Sequence, residues 1–448
     1  MSVYCQSCWW SDEWDPLTYG KEYDFSKPFF EQFLELYRKT PLPALNTIYQ
    51  TLFNSEYTNQ VGHLKNCYLL FNSDYSENCA YGTEIESCKD CFDNLTINSC
   101  ELSYDNINCQ KCYQTFFSVD CESCHDIWFS RNLIGCSNCF GCSQLRNKQY
   151  YIFNERYSKE EYIKKLAEFD SGSYVNIQKF VQQAQEIYKK TPLKFIHGRQ
   201  NTNISGDYIF HCRDVFKSYL VLEAQNCKYS MWLMVKPSKD CWDYTEWGEN
   251  AERVYEANNC GRNVSDIKLS SFVMANCSHA EYSAHCESSS DIFGCVSLRK
   301  KSYCILNKQY LENEYLTLIE KIKNQMSEMP YIDKQGRIYK YGEFFPIEIS
   351  PFAYNEATTQ QYFPLTKEEA IQKGYNWRDQ EPRNYQVTIT PDKPPYHIKD
   401  VPDSITQEII GCGHEEKCNE QCTQAFKIIP DELQFLRKMN LPLPRLCP

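Results

Sequence analysis

Short apolar runs alternate with turn-forming residues along much of the chain. Runs of three or four apolar, aromatic or β-branched residues occur at 68–71, 95–97 and 127–129. They are bounded by Asn, Asp, Ser and Gly, which tolerate the backbone conformations of turns. Within this region no stretch carries apolar residues at helical spacing for more than about a turn. The pattern predicts many short strands joined by tight corners.

The cysteines of this region follow a spacing rule. Each of the twelve cysteines from Cys67 to Cys142 is separated from the next by a multiple of three residues. In rows of 21 residues they fall into columns, such as Cys67, Cys88 and Cys109. A fixed period of this size is typical of stacked repeats, and short strands then predict a parallel β-solenoid with 21 residues per coil. A helical solenoid is the rival interpretation, but the apolar runs lack the length for paired helices.

A second copy of the pattern follows later in the chain. Residues 140–162 and 293–315 are identical at 12 of 23 positions without a gap, at an offset of 153 residues. In the second copy Cys277, Cys286, Cys295 and Cys304 keep a nine-residue step, whereas the cysteines before them drift from the rule. The sequence therefore predicts two homologous modules.

Helical patterns follow each predicted module. A capping box of Ser158 and Glu161 opens one helix, and a second periodic run over 175–188 stops before Pro192. The second module has a counterpart over 312–326. We expect these helices to cover the open solenoid ends, where unpaired strand edges would invite aggregation. A helix over 28–38 would cap the first coil in the same way.

Composition narrows the class of protein. The chain of 448 residues has room for two or three domains, and its net charge of -12 argues against broad binding of a phosphate backbone. Without an apolar run near 18 residues or a signal peptide, we expect a cytoplasmic protein with no membrane partner. In that compartment the 26 cysteines would mostly stay reduced.

For the cysteines of the repeats, the sequence favours packing in a narrow core, since free cysteine is among the most buried residue types. The alternatives are disulfides or metal ligation by two Cys-x2-Cys pairs one rung apart, Cys88/Cys91 and Cys109/Cys112. In the packing interpretation, replacing Cys100 or Cys121 with alanine would cost about 1 kcal/mol. We expect serine to cost more, because a buried hydroxyl would lack a partner.

The two ends of the chain carry cysteines outside this rule. Four thiolates complete a tetrahedral zinc site, and Cys-x2-Cys or similar spacings are typical of such sites. We therefore expect zinc at the terminal sites only, with His414 as a further candidate for a fourth position. Unpaired surface thiols are the alternative interpretation. The candidate ligands are Cys5, Cys8, Cys412, Cys418, Cys422 and Cys447.

The C-terminal run resembles a zinc-ribbon family. In that family Cys-x2-Cys precedes a Phe-x-Ile strand, a short Glu-containing helix and a final Cys-Pro-x-Cys. This chain departs from the pattern by placing three residues between the first two cysteines and none after Pro448. The matching positions are Cys418, Cys422, Phe426, Ile428, Glu432, Cys447 and Pro448.

The whole chain also resembles a family of uncharacterised, cysteine-rich proteins of candidate-phylum bacteria. The resemblance implies architecture and no chemistry. Members of that family would continue past this C-terminus, which implies a shortened reading frame here. The matching segments are 5–12, 25–33, 54–57, 145–148, 339–346 and 441–448.

The predicted fold class is mainly β, with two homologous parallel β-solenoid modules, capping helices and a zinc-ribbon-like C-terminus. We expect residues 331–405 to pack along the outside of the solenoid, or to form a groove for a partner. The predicted segments are an N-terminal knuckle and capping helix (1–60), module one with its helices (61–200), module two with its helix (201–330), the aromatic and Pro-rich segment (331–405) and a partial zinc ribbon (406–448).

These features favour a non-enzymatic scaffold or binding protein whose partner is a protein or a nucleic acid. A nucleic-acid-associated zinc protein is one alternative, because zinc ribbons often serve such contacts. A carbohydrate-active β-solenoid enzyme is the other, with carboxylates at Asp74, Glu84, Asp93 and Asp105. The sequence shows no nucleophile–base pairing and no phosphate-binding glycine loop, so catalysis is less favoured.

Overall fold

The computed structural model describes residues 1–233, 236–247, 251–252, 258–260, 277–379, 384–415 and 422–448. The described chain is mainly β and divides into two compact units. Unit 1 contains Met1–Ala44 and Lys194–Asp379, and unit 2 contains Leu45–Leu193 and Gln380–Pro448. Both units thus join segments that are distant in sequence. None of the helices described has the combined length and apolarity that crossing a membrane requires.

Eight α-helices lie in the described residues. The predicted capping box opens one of them: Ser158 Oγ accepts from the backbone N–H of Glu161, whose carboxylate accepts from the N–H of Ser158. The helices are α1 (Gln6–Trp10), α2 (Phe29–Lys39), α3 (Lys159–Ala167), α4 (Tyr174–Lys190), α5 (Glu312–Glu328), α6 (Thr359–Tyr362), α7 (Lys367–Gln372) and α8 (Pro430–Lys438).

Unit 2 is built on a sheet of ten strands that pair in the order of the sequence. All neighbouring pairs are parallel except the last, a terminal hairpin. The strands are Asn59–Gly62, Tyr68–Asp74, Ala80–Glu86, Lys89–Asn98, Glu101–Tyr104, Tyr113–Phe116, His125–Trp128, Ser137–Phe140, Gln149–Ile152 and Glu155–Arg156.

The parallel strands of unit 2 pair with a step of twelve residues. Tyr68 lies opposite Ala80 and Ala80 opposite Phe92. Single-residue bridges keep the same step, as between Leu95 and Ile107. The 21-residue step predicted from the cysteine columns is therefore wrong. Since 21 equals twelve plus nine, those rows ran diagonally across a lattice whose true repeat is twelve.

A second regularity subdivides each twelve-residue step. Every third residue from Asn54 to Phe153 has a positive φ. Only Gly135 and Gly141 among these positions lack a Cβ, although left-handed backbone costs other residues roughly 1–2 kcal/mol each. The chain is thus a series of three-residue segments, each with a buried inward residue, an outward residue and a left-handed residue. Other interactions must offset the recurring backbone cost.

Two of the three N–H groups in each segment enter the parallel sheet pairing. The outward residue donates to the carbonyl eleven positions ahead, as from Lys89 to Cys100 at 3.0 Å. The left-handed residue donates to the carbonyl thirteen positions back, as from Asp90 to Glu77 at 3.0 Å. Backbone pairing alone therefore leaves the N–H of the inward residue to be satisfied in the interior.

Side chains of the preceding rung accept that third N–H. The N–H of Ser130 donates to Ser118 Oγ at 3.1 Å, twelve positions back. The N–H of Cys100 donates to Cys88 Sγ at 3.4 Å, and that of Asn106 to Asn94 Oδ1 at 3.0 Å. Small side chains with an acceptor atom therefore suit the inward positions, which explains why Cys, Ser and Asn share them.

The cysteines of this sheet are buried. Cys100 and Cys121 are 2% and 1% exposed, and each sulfur contacts two backbone carbonyls. The reason given for a large cost of serine is wrong, because inward serines are satisfied: Ser118 Oγ donates to the carbonyl of Phe116 at 2.9 Å and accepts the N–H of Ser130.

Unit 1 contains a nine-stranded sheet, a four-stranded sheet and two two-stranded sheets. Its strands are Val3–Tyr4 and Leu42–Pro43; Gly198–Arg199, Thr202–Phe210, Arg213–Leu222, Ala224–Lys228, Met231–Leu233, Ser238–Lys239, Thr245–Trp247, Ala251–Glu252 and Asn258–Cys260; Ser278–Glu281, Ser290–Phe293, Ser302–Ile305 and Lys308–Gln309; and Tyr331–Ile332 and Ile338–Tyr339.

The step of twelve recurs in unit 1 with local insertions. Ser278, Ser290 and Ser302 are successive partners at twelve residues. Met231 instead pairs with Thr245, a step of fourteen, and other pairs show a step of thirteen. These insertions explain why the cysteines in the first part of the second copy drift from the spacing rule.

Helix α2 packs in unit 1 and not on the start of the first repeat, where the sequence placed it. The ring of Phe29 lies 5.3 Å from that of Tyr282 and 5.0 Å from that of Phe293. In unit 2, Phe180 of α4 packs on the rings of Phe129 and Phe140. Each unit thus covers one side of its sheet with aromatic side chains from a helix.

The side-chain acceptors of the inward positions can be tested at Cys88. We expect Cys88→Ala to lower the free energy of unfolding by about 1–3 kcal/mol, because the buried N–H of Cys100 would lose its acceptor. Cys88→Ser should cost less, because its hydroxyl can accept the same N–H. Urea unfolding followed by circular dichroism measures both values. A control, Glu101→Ala, changes an exposed outward residue of the same sheet. A larger cost for serine than for alanine would contradict the acceptor role.

Candidate metal centre

A small antiparallel pair positions the first two cysteines of the candidate site in unit 2. Strand Ile410–Gly411 pairs with Ala425–Phe426, with Ile410 opposite Phe426. Cys412 directly follows the first strand, and Cys422 comes shortly before the second. The N–H of Cys412 donates to the carbonyl of Gln424 at 2.7 Å. The two cysteines are therefore held at the same end of this pair.

The third cysteine comes from the segment after α8. The N–H of Gly413 donates to the carbonyl of Arg445 at 2.7 Å, which joins this segment to the strand pair. Arg445 is only 8% exposed and donates through Nη2 to the carbonyl of Pro394 at 2.9 Å. These bonds place Cys447 beside the other two thiols.

The three sulfurs are close enough to share one ion. Cys422 Sγ lies 3.4 Å from Cys447 Sγ, and the sulfurs of Cys412, Cys422 and Cys447 all lie within 4.8 Å of one another. Tetrahedral coordination with metal–sulfur bonds of about 2.3 Å separates sulfurs by about 3.8 Å. The group could therefore hold a metal ion with little rearrangement.

Backbone N–H groups point at two of the sulfurs. The N–H of Gln424 donates to Cys422 Sγ at 3.2 Å, and the N–H of Cys447 donates to Cys412 Sγ at 3.3 Å. Such donors stabilise the thiolate form, which is the form that binds metal. The donor set and its surroundings fit a soft divalent cation.

The other predicted ligands have different outcomes. Cys418 lies outside the described residues. His414, although close in sequence to Cys412, is not part of the three-sulfur group. Cys5 and Cys8 lie in unit 1, whereas the group lies in unit 2. Across the residues that the structure describes, no other set of three or more Cys, His, Asp or Glu side chains brings its ligand atoms within 4.8 Å.

That result also bears on the alternative metal site inside the repeats. Cys88, Cys91, Cys109 and Cys112 are all described and at most 2% exposed, and they do not form a group of this kind. The sulfur of Cys112 instead contacts the carbonyls of Gln110 and Cys121, at 3.2 and 3.5 Å. The geometry supports packing for these thiols rather than metal ligation.

Cys5 and Cys8 have a different environment from the repeat cysteines. Both are exposed, and Cys5 Sγ lies 3.2 Å from Ser7 Oγ. Hydrogen bonds with Ser7 and with the backbone and thiol of Cys8 lower the pKa of the Cys5 thiol to about 7. The contact with Cys5 raises the pKa of the Cys8 thiol.

A buried carboxylate lies where α8 packs on the sheet of unit 2. Glu432 is 2% exposed and accepts from the hydroxyl of Tyr81 at 3.1 Å. Burial raises the pKa of the Glu432 carboxyl to about 8, and the negative charge of Asp93 adds to the increase. Burial and the charge of Asp105 likewise raise the pKa of Asp93 to about 7.

The carboxylates that the sequence suggested for catalysis do not form one site. Asp74 Oδ1 lies 2.9 Å from His63 Nδ1, and Glu84 accepts from the side chain of Asn72. Asp93 faces the buried Glu432 beneath α8, where a large substrate has no access. Perturbed pKa values often mark active sites, but here burial under a helix accounts for them.

Comparisons with protein-family models, with curated proteins and with solved structures found no match.

Sequence reasoning missed two features of this region. It identified Cys412 as a ligand but expected Cys418 to complete the core of the site. It also treated Glu432 only as a residue of a short helix. The capping pattern Pro430-Asp431-Glu432 marks the helix start, and Ile429 N–H does donate to Glu432 at 3.3 Å. Nothing in that local pattern shows that this carboxylate would lie against Asp93.

The buried carboxyl predicts a pH dependence of stability. The pKa of Glu432 rises from an ordinary 4.5 to about 8 on folding, so folding favours its neutral form. Its contribution to stability is therefore largest below about pH 4.5 and is lost as the pH rises towards 8. We expect Glu432→Gln to be more stable than the parent at pH 8, by roughly 1–4 kcal/mol, and equal to it near pH 4.5.

Urea unfolding of parent and variant at pH 5, 6.5 and 8 measures this difference. Asp431→Asn is the matched control, since it neutralises the exposed neighbouring carboxylate on the same helix turn. A Glu432→Gln variant that is less stable than the parent at pH 8 would show that the ionised carboxylate is favoured there.

Proposed function

We propose that this chain is a non-enzymatic binding scaffold built from two β-solenoid modules and stabilised by zinc. Pairing at twelve residues supports the solenoid. Lys65, Tyr68, Phe71 and Asp74 each pair with the residue twelve positions later. Four three-residue sides would thus make one coil, stacked on the next at the strand spacing of roughly 4.8 Å.

Zinc at the three-sulfur group is the cofactor of this proposal. Cys412, Cys422 and Cys447 supply three of the four thiolates of a structural site, and Cys418 stays the predicted fourth ligand. Such an ion would supply no reaction; it would crosslink the strand pair to the C-terminal segment. The observation that carries the assignment is the convergence of three distant cysteines with N–H donors on their sulfurs.

An apolar column on the sheet of unit 2 supports a binding role. It contains Phe71, Thr83, Leu95, Ile107 and Val119, which are successive partners at twelve residues. Phe71, Leu95 and Ile107 are 41%, 42% and 39% exposed. Over four rungs the column extends about 19 Å at the strand spacing of parallel sheets. Apolar side chains in an exposed row are a common feature of binding surfaces.

An acidic column runs beside it and indicates the chemistry of the partner. This column contains three carboxylates and two amides in successive rungs: Asp74, Glu86, Asn98, Gln110 and Glu122. A segment that offers apolar side chains to one column and Lys or Arg to the other would complement both. We therefore propose a protein partner with a basic amphipathic segment, which fits the net charge of -12.

The same charge pattern disfavours the alternatives. A nucleic acid would place phosphates against the carboxylates of the acidic column. A polysaccharide-cleaving enzyme needs accessible paired carboxylates, whereas Glu432 is buried and Asp74 is engaged by His63. A gel-shift experiment with single- and double-stranded nucleic acid, and a panel of polysaccharides, test these two alternatives directly.

Metal content tests the zinc assignment. After unfolding with a chelator and refolding with zinc, we expect one zinc per chain by elemental analysis. Cys447→Ser should lose most of this zinc, whereas Cys67→Ser, which changes a buried thiol of the repeats in the same unit, should keep it. At free zinc about 1,000 times the Kd, bound metal should stabilise the parent by about 4 kcal/mol.

A Cys418→Ser variant in the same experiment tests the predicted fourth ligand. A weaker but stoichiometric zinc site would indicate that Cys418 is a ligand. Equal zinc in Cys447→Ser and in the parent would refute the assignment to the three-sulfur group.

Peptide selection tests the binding surface. Peptides selected from a random library on the immobilised chain should combine apolar residues with Lys or Arg. Ile107→Glu should weaken their binding at least about tenfold, since it places a charge in the apolar column and about 1.4 kcal/mol corresponds to a factor of ten. Tyr113→Glu is the matched control on another exposed column. Peptides that bind both variants as tightly as the parent would exclude this surface.

A further inference from the structure

The N-terminal cysteine pair differs from every other described cysteine in its exposure. Of the cysteines that the structure describes, only Cys5 and Cys8 are exposed; those of the repeats are buried, and those of the metal group are buried or intermediate. The two thiols are three residues apart, at the first turn of α1. The N–H of Trp9 donates to the carbonyl of Cys5 at 2.8 Å, which closes that turn. The pair is thus adjacent and accessible.

The segment that carries the pair is fixed in unit 1 from both sides. Before it, Val3–Tyr4 pairs in parallel with Leu42–Pro43. After it, Trp9 is 2% exposed and its carbonyl accepts from Arg299 Nη1 at 2.7 Å. The Arg299 guanidinium also lies 5.0 Å from the ring of Trp14. A fixed backbone on both sides keeps the two thiols at short range without the entropy loss that pairing in a flexible chain requires.

A metal role does not account for this pair within the described residues. No third Cys, His, Asp or Glu ligand joins Cys5 and Cys8 there. Packing does not account for it either, because both side chains are exposed. The hydroxyl of Ser7 beside Cys5 Sγ is positioned to donate to a thiolate at that sulfur. These contacts favour Cys5 as the attacking thiol and Cys8 as the resolving one.

We propose that Cys5 and Cys8 form a redox-active dithiol that exchanges with disulfides of small thiols or of proteins. This activity is independent of the proposed scaffold function and of the zinc site.

The exchange has two balanced steps. The Cys5 thiolate attacks one sulfur of a disulfide, forms a mixed disulfide and releases the other half as a thiolate. Cys8 then loses its proton to that thiolate or to solvent and attacks Cys5 Sγ, which forms the Cys5–Cys8 disulfide and releases the second thiol. Two electrons pass from the cysteine pair to the incoming disulfide, which is reduced to two thiols. The reverse steps reduce the pair.

Glutathione buffers of stepped oxidised-to-reduced ratio test the proposal on the intact, zinc-loaded chain. Tryptic peptide 1–21 contains no cysteine besides Cys5 and Cys8. After acid quenching and alkylation, we expect this peptide to change from two alkylated thiols to one internal disulfide in a single transition. The repeat peptides should stay reduced over the same range.

Two single variants separate exchange from simple exposure. With oxidised glutathione, Cys8→Ser should accumulate a mixed disulfide at Cys5, because no resolving thiol is present. Cys5→Ser should react at Cys8 at least about tenfold more slowly, since its thiolate lacks the contact with the pair. Both variants should keep the zinc content of the parent.

Three results would overturn the proposal. Glutathione adducts on both cysteines of the parent, without an internal disulfide, would show two independent exposed thiols. Equal reaction rates of the two variants would remove the distinction between attacking and resolving thiol. Loss of one zinc from Cys5→Ser would assign the pair to a metal site instead.

Discussion

The fold of both units depends on how the inward backbone N–H is satisfied. A chain that turns at every third residue places one N–H per segment in the interior, where an unpaired donor costs about 1–3 kcal/mol. The inward side chain one rung back supplies the acceptor, as Ser118 does for Ser130 and Cys88 does for Cys100. Because that side chain must be small and also fill the core, Cys is well suited to the position. The abundance of cysteine therefore follows from backbone geometry and requires no reactive chemistry.

Much of this architecture could be predicted from the sequence, and the error has a physical cause. Spacing in multiples of three reflects the three-residue segments, and strands with tight corners were recognised from composition. The repeat length was missed because cysteine alone was used to align the rows. Serine, asparagine and isoleucine fill the same inward positions, so the column of Cys67, Cys79 and Cys91 continues as Ser103 and Thr115. The step of twelve becomes visible only when the common requirement is recognised.

Long-range assignments were the other limit of sequence reasoning. Helix α2 lies near the start of the chain, yet its Phe29 packs on Tyr282, more than two hundred residues away. The ligand group shows the same limit: Cys422 and Cys447 were predicted, and Cys412 entered as one of several candidates for the remaining place. Aromatic and sulfur side chains carry little information about which distant partner they meet. Local capping patterns, in contrast, predicted the starts of α3 and α7 correctly.

The common step on all four sides has a consequence for how such a chain can change length. Duplication or loss of twelve residues would keep every inward and outward position in its column, so the sheet could grow or shrink by whole rungs. A change of one or two residues must instead be absorbed within a single rung, as in the steps of thirteen and fourteen in unit 1. Replication slippage in units of 36 nucleotides, the coding length of twelve residues, would then adjust the length of a binding surface without redesigning its core.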